Sequence, residues 1–144
     1  MKVVRWMLAA AVLIQLIPYG RHHTNPPVTR EPVWDSPALR TLFHRACFDC
    51  HSNETAWPWY SHVAPVSWLV QSDVDDGRRH LNFSEWDRPQ RHAKDVDEQV
   101  KQRDMPPWFY LPMHPAAKLT EAEKQALIDA AGKSLGPQGV GAMR

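Results

Sequence analysis

The chain is poor in cysteine: among its 144 residues, only Cys47 and Cys50 are cysteines. A disulfide between two residues so close in sequence would close a very small ring and would restrain no distant segment. A fold held together by several disulfides is therefore excluded. Structural stabilisation alone is also a weak reason for this pair, so a chemical role has to be considered.

An excess of charge of one sign is also lacking. The chain has 17 Lys and Arg residues against 16 Asp and Glu residues, which gives a formal net charge of +1 at pH 7. Domains that bind nucleic acid carry a basic patch that neutralises phosphates. We therefore expect no nucleic-acid partner.

No apolar run reaches the roughly 20 residues that span a bilayer comfortably. The longest one, at residues 6–19, is interrupted by Gln15 and follows Lys2 and Arg5. A basic start and a short apolar stretch are typical of a secretory signal. Because no clear cleavage site follows, residues 1–20 are interpreted as a signal sequence or, with slight preference, as a retained membrane anchor. Either interpretation places the remainder on the periplasmic side, and the anchor implies inner-membrane association.

Strand-like alternation over a useful length is absent, and so is an internal repeat. Four stretches show helical spacing of apolar residues instead. They are predicted to start at Ser36-Pro37, to follow Pro65, to span about 89–103 and to start at the Thr120–Glu123 capping box. The 13 prolines lie mostly between these stretches or at their starts. The predicted fold class is all-α, with about four helices joined by long proline-rich loops.

The same features predict the domain organisation. Residues 21–35 contain three prolines and no helical period, which favours an extended linker. The folded domain is predicted to cover residues 36–136, where Gly136-Pro137 ends the last helix. Residues 137–144 are expected to form a flexible tail.

The two cysteines belong to a compact motif, Cys47-Phe48-Asp49-Cys50-His51. Two cysteines separated by two residues match the two vinyl groups of one porphyrin, and the histidine that follows can ligate the iron. A thioredoxin-like pair would need a βαβ setting, which the pattern lacks. A structural zinc site would need two further ligands with paired spacing. An inert or disulfide-bonded pair is a third alternative, but the motif favours one covalently attached haem c.

A haem iron held by His51 has a further coordination position, for which Met105 is the preferred ligand. Met105 follows the third predicted helix and precedes Pro106-Pro107, which stiffen the loop. A methionine ligand raises the reduction potential relative to a second histidine. Other interpretations stay open: Met105 as a hydrophobic plug, or ligation by His80, Met113 or His114, or an open position.

At these residues the sequence resembles the bacterial haem-binding-domain family of c-type cytochrome-like proteins. The resemblance extends over about 36–135. Its motifs lie at 47–60, 64–68, 77–84, 105–107 and 114–115, and at the opening of the last helix. It implies a periplasmic domain with a single haem, behind a signal or an anchor. The family's association with cytochrome c and di-haem peroxidase-like domains implies electron delivery to redox partner proteins.

The order of elements is similar to that of an ordinary cytochrome c, with a helix leading into the motif and a methionine loop before the final helix. This similarity implies a cytochrome c-like fold, with His51 as proximal and Met105 as distal ligand. The expected function is covalent haem c binding and one-electron transfer in the periplasm, without enzymatic activity. The alternative is a haem-based ligand sensor or peroxidase-like accessory domain with an open sixth iron position, although no peroxidase-like acid–base pair is evident.

Overall fold

The computed structural model of the protein describes residues 1–135. Over this range the regular structure is helical, without a β-strand, and an isolated bridge pairs Arg30 with Glu85. The α-helices are α1 (Lys2–Leu13), α2 (Pro37–His51), α3 (Val66–His80), α4 (Val96–Gln102) and α5 (Glu121–Ala130). The predicted all-α class is confirmed. The predicted tail at 137–144 and the helix stop at Gly136 lie outside the described residues.

Two helices begin at the caps that the sequence predicts. The Ser36 hydroxyl accepts a hydrogen bond from the Leu39 backbone amide at 3.2 Å, and Pro37 occupies the first position of α2. At α5, the Thr120 hydroxyl accepts from the Glu123 amide, and the Glu123 carboxylate accepts from the Thr120 amide at 2.8 Å. Such caps pair backbone amides that have no partner within the helix.

The third predicted helix is shorter than expected. Instead of starting near Pro89, α4 begins at Val96, after a 3-10 turn over Ala93–Asp95. The residues before it hydrogen-bond to the loop after α3 instead of forming a helix. The Gln90 amide group accepts from the Asn82 backbone amide at 3.0 Å and donates to the Glu85 carbonyl at 2.8 Å. These contacts close the loop after α3 and keep residue 90 out of a helix.

The core is aromatic and lies beneath the second half of α2. Phe43 and Phe48 of α2 pack against Phe83, with ring centroids 5.4 and 5.5 Å apart. Leu127 of α5 closes the same cluster and is fully buried. Trp34, from the segment predicted as a linker, has its ring centroid 5.1 Å from that of Phe43. The burial of these rings fixes α2 between α5 and the residues that follow α3.

Residues 21–35 form no helix, as predicted, but they pack along the domain rather than extending away from it. The Arg78 guanidinium donates to the carbonyls of Ser52 and Thr24, at 2.7 and 2.8 Å, and to the Asn25 side chain at 2.9 Å. Thr29 and Arg30 both donate their backbone amides to the Ser84 carbonyl. The segment is thus attached at both ends and in the middle.

The N-terminal helix ends at Leu13, before a 3-10 turn and an extended residue at Ile17. Its side chains are not buried, but the chain after it contacts the start of α3. The Gln15 side chain pairs with both the amide and the carbonyl of Ala64. Among residues 1–135, the structure has no helix with the length and apolar character needed to cross a membrane. The predicted transmembrane anchor is therefore not supported.

Candidate functional site

A cavity of about 590 Å³ lies between α2, α3, α4 and the loop after α4. Its wall is mostly apolar, and its volume is in the range of roughly 300–1,000 Å³ that is typical of ligand pockets. All four predicted site residues line it: Cys47, Cys50 and His51 from the end of α2, and Met105 from the loop. The structure therefore brings the predicted ligands together at one cavity.

The His51 ring is held in one orientation by backbone groups. Its Nδ1 lies 3.0 Å from the Gly77 carbonyl oxygen and 3.1 Å from that of Leu81. Because both partners can only accept, Nδ1 carries the proton and Nε2 is the unprotonated nitrogen. Burial lowers the pKa of His51, and the two carbonyls partly offset this effect, so the ring is neutral at pH 7. In the described part of the chain, Nε2 has no hydrogen bond and remains available to a metal ion.

This arrangement is the one that metal-ligating histidines use, since they commonly donate the other ring nitrogen to a carbonyl or carboxylate. The close packing of α3 on α2 makes it possible. At Gly77, a Cβ atom would lie 2.3 Å from the Cys50 carbonyl oxygen. A side chain at this position would push α3 away from the motif, so glycine is required for the carbonyls to reach His51.

Both cysteines have free thiols and are partly accessible, because they face the cavity. The pKa of each thiol is raised to about 12, mainly by burial and to a smaller extent by nearby negative groups, Asp73 among them at Cys50. The thiols are therefore protonated at neutral pH. Thioredoxin-like exchange and zinc binding both need thiolates, which low pKa values favour. Nor do residues 1–135 contain three or more His, Cys, Asp or Glu side chains grouped to hold a metal ion.

Met105 is placed by the end of α4. Arg103 adopts the left-handed conformation, with φ of 64°, and turns the chain. The amides of Asp104 and Met105 then both donate to the Gln99 carbonyl, at 3.0 and 3.2 Å. These bonds hold Met105 at the wall of the cavity that the α2 motif also lines.

The other predicted distal ligands are distributed over two cavities. His80 lines the same cavity as His51, whereas Met113 and His114 line a neighbouring cavity of about 350 Å³. His92, which was not predicted as an iron ligand, also lines the first cavity, with its ring centroid 5.2 Å from that of His80. Both rings are anchored through Nδ1, to the Asp76 carbonyl and the Asp95 carboxylate respectively.

One further contact at the site was not predicted from the sequence. The Tyr110 hydroxyl donates to the Asp49 carboxylate at 2.5 Å, and Asp49 lies between the two cysteines. Tyr110 and Asp49 line both cavities. A tyrosine within a proline-rich loop belongs to no periodic pattern, so no signal in the sequence pointed to Tyr110.

Comparison with known proteins identifies a family. A family model described as "Haem-binding domain" matches residues 9–133. The search of curated proteins found no match, and the search of solved structures found none either.

Proposed function

The chain belongs to the haem-binding domain family, and on that premise we propose that it binds one c-type haem covalently and carries single electrons in the periplasm. The observation that carries the proposal is the orientation of His51. Its Nδ1 proton is fixed by two backbone carbonyls, and its neutral ring lines the cavity that both thiols also face. An iron ligand and two attachment points thus share one cavity.

The cysteines fit covalent attachment better than any other use of the pair. Cys47 and Cys50 would hold the haem through two thioether bonds, for which each protonated thiol would place its sulfur on one carbon of a vinyl group and its hydrogen on the other. This addition requires no oxidant, and two thiols on one turn of α2 match two vinyl groups of one ring. When bound, a c-type haem supplies a one-electron iron couple.

The surroundings of the site support a carrier rather than a catalyst. Met105 lines the cavity, and its thioether would be available to hold the iron together with His51. A mostly apolar wall and a methionine ligand raise the reduction potential, whereas the acidic side chains in the wall, such as Asp73 and Asp104, lower it. The order of α2, the segment that carries Met105 and α5 supports a cytochrome c-like arrangement.

We further propose that the domain lies in the periplasm and exchanges electrons with other proteins. The basic start and the short apolar stretch within residues 1–20 support export to the periplasm, where haem attachment takes place. The electron donor and acceptor are proposed to be redox partner proteins.

An optical redox titration of the chain, matured together with a c-type haem attachment system, tests the carrier function. We expect one reversible transition with a one-electron slope, and a six-coordinate low-spin ferric spectrum that changes only at high cyanide concentration. The physical reason is that Met105 occupies the iron position that cyanide would need. A high-spin spectrum with rapid cyanide binding, and rapid carbon monoxide binding after reduction, would contradict the carrier and favour a ligand sensor or peroxidase-like domain.

A further inference from the structure

The loop that carries Met105 is attached to the domain at its two ends. We call residues 104–114 the Met105 loop. At its start, the amides of Asp104 and Met105 donate to the Gln99 carbonyl at the end of α4. At its end, the His114 ring accepts at Nε2 from the Tyr60 hydroxyl, over 3.1 Å. Neither attachment involves the motif at residues 47–51.

Between these ends, Tyr110 joins the loop to the motif. Its hydroxyl donates to Asp49 Oδ2 at 2.5 Å. Within residues 1–135, this is the hydrogen bond that connects the Met105 loop with residues 47–51. The Asp49 carboxylate is itself fixed, because Oδ1 accepts from the Ala56 backbone amide at 3.1 Å. Burial, followed by the bond to Asp49, raises the pKa of Tyr110, so the phenol retains the proton that it donates.

The Tyr110 ring has separate support that does not depend on its hydroxyl. It stacks on the His114 ring, with centroids 3.8 Å apart and planes inclined by 7°. His114 Nδ1 also donates to the Tyr110 carbonyl at 3.0 Å. A change from Tyr110 to phenylalanine therefore keeps the ring and its packing, and it removes only the contact with Asp49.

We propose that the Tyr110–Asp49 hydrogen bond is a latch that holds the Met105 loop against the haem attachment motif and so keeps Met105 on the iron. Tyr110 is then a positioning residue for the distal ligand. This inference rests on the proposed function. The bond between a methionine sulfur and iron is weak, so it forms only while the loop holds Met105 beside the iron. A loop that is fixed in this position therefore raises the fraction of molecules in which Met105 is bound.

The test compares Tyr110→Phe with the unmodified holoprotein. Cyanide must displace Met105 from ferric iron, so its apparent dissociation constant reports the occupancy of the Met105-bound state. Loss of one hydrogen bond to a carboxylate is expected to tighten cyanide binding about tenfold or more. The absorption band that marks sulfur ligation of ferric iron should weaken in the same variant.

Tyr60→Phe is the matched control, because it removes a phenol hydroxyl that bonds the same loop away from the motif. We expect its cyanide affinity and sulfur-ligation band to match those of the unmodified protein. If the two variants behave alike, or if Tyr110→Phe leaves the cyanide affinity unchanged, the latch is wrong. Asp49→Asn provides a second disruption, with a smaller shift in the same direction, should Tyr110→Phe fail to mature.

The two proposals fail in different ways. If Met105→Ala alters the iron spectrum but Tyr110→Phe and Asp49→Asn do not, Met105 is a ligand and only the latch is overturned. If the matured chain holds no covalent haem, or if Met105→Ala leaves the spectrum unchanged, the proposed haem coordination fails and the latch fails with it.

Discussion

Replacing His51 with alanine is expected to reduce the yield of haem-loaded protein by more than about tenfold. Mutation of a residue that merely hydrogen-bonds to a metal ligand already lowers metal affinity by roughly 10- to 100-fold, and loss of the ligand itself should cost at least as much. The substitution removes the ring whose Nδ1 is fixed by the Gly77 and Leu81 carbonyls. It leaves both thiols and the cavity wall in place. The ratio of haem absorbance to protein concentration, measured after purification, gives the yield.

His44→Ala is the matched control for this variant. His44 also lies on α2 but is exposed and does not line the cavity. We expect its haem content and spectrum to equal those of the unmodified protein. Added imidazole should restore part of the low-spin spectrum in the His51→Ala protein that does mature. A His51→Ala protein with the original haem content and spectrum would remove His51 as the proximal ligand.

Met105→Ala is expected to change the ferric iron from low spin to high spin and to lower the reduction potential. Both effects follow from loss of the thioether, which leaves water or an open position. Optical and electron paramagnetic resonance spectra of the oxidised protein report the spin state. Cyanide binding to this variant should no longer require displacement of a protein ligand and should therefore become fast.

Met113→Ala serves as the control, because Met113 is 59% exposed and lines the neighbouring cavity. Its spectrum should be unchanged. If Met105→Ala remains low spin, another group occupies the iron. His80, which shares the cavity with His51, is then the first residue to replace in the same background.

The starts of α2 and α5 were predicted correctly because each is set by a hydrogen bond between residues close in sequence. The hydroxyls of Ser36 and Thr120 bond to amides three positions ahead, so each start is visible in a few letters of sequence. The start of α4 was wrong for the opposite reason. Gln90 bonds to the loop after α3, and that contact exists only in the folded chain.

In the segment at residues 21–35, too, the local structure was predicted and the long-range contacts were not. Its prolines correctly predicted irregular structure, but its composition did not reveal that Trp34 packs on Phe43 in the core. Nor did it reveal that Arg78 fixes the beginning of the segment through the Thr24 carbonyl and the Asn25 side chain. Long-range packing of one tryptophan and one arginine leaves no periodic signal in the sequence.

At the site, the motif could be recognised from the sequence because its two thiols and its imidazole lie within five residues. The hydrogen-bond partners that hold the motif in place could not be predicted. The partners of His51 are backbone carbonyls, which every residue has, and the Tyr110–Asp49 contact spans 61 positions. Met105 was selected by its place between a helix and two prolines, and the structure adds that it shares the cavity with His51.

The most direct test of the central claim is a pyridine haemochrome spectrum of the purified chain after denaturing extraction of free haem. If Cys47 and Cys50 hold the group as proposed, the haem stays with the polypeptide, at one per chain, and the spectrum is that of a haem with both vinyl groups saturated. Replacing both cysteines with alanine should release it. Haem that leaves with the solvent, or a chain that never acquires haem, would contradict the account.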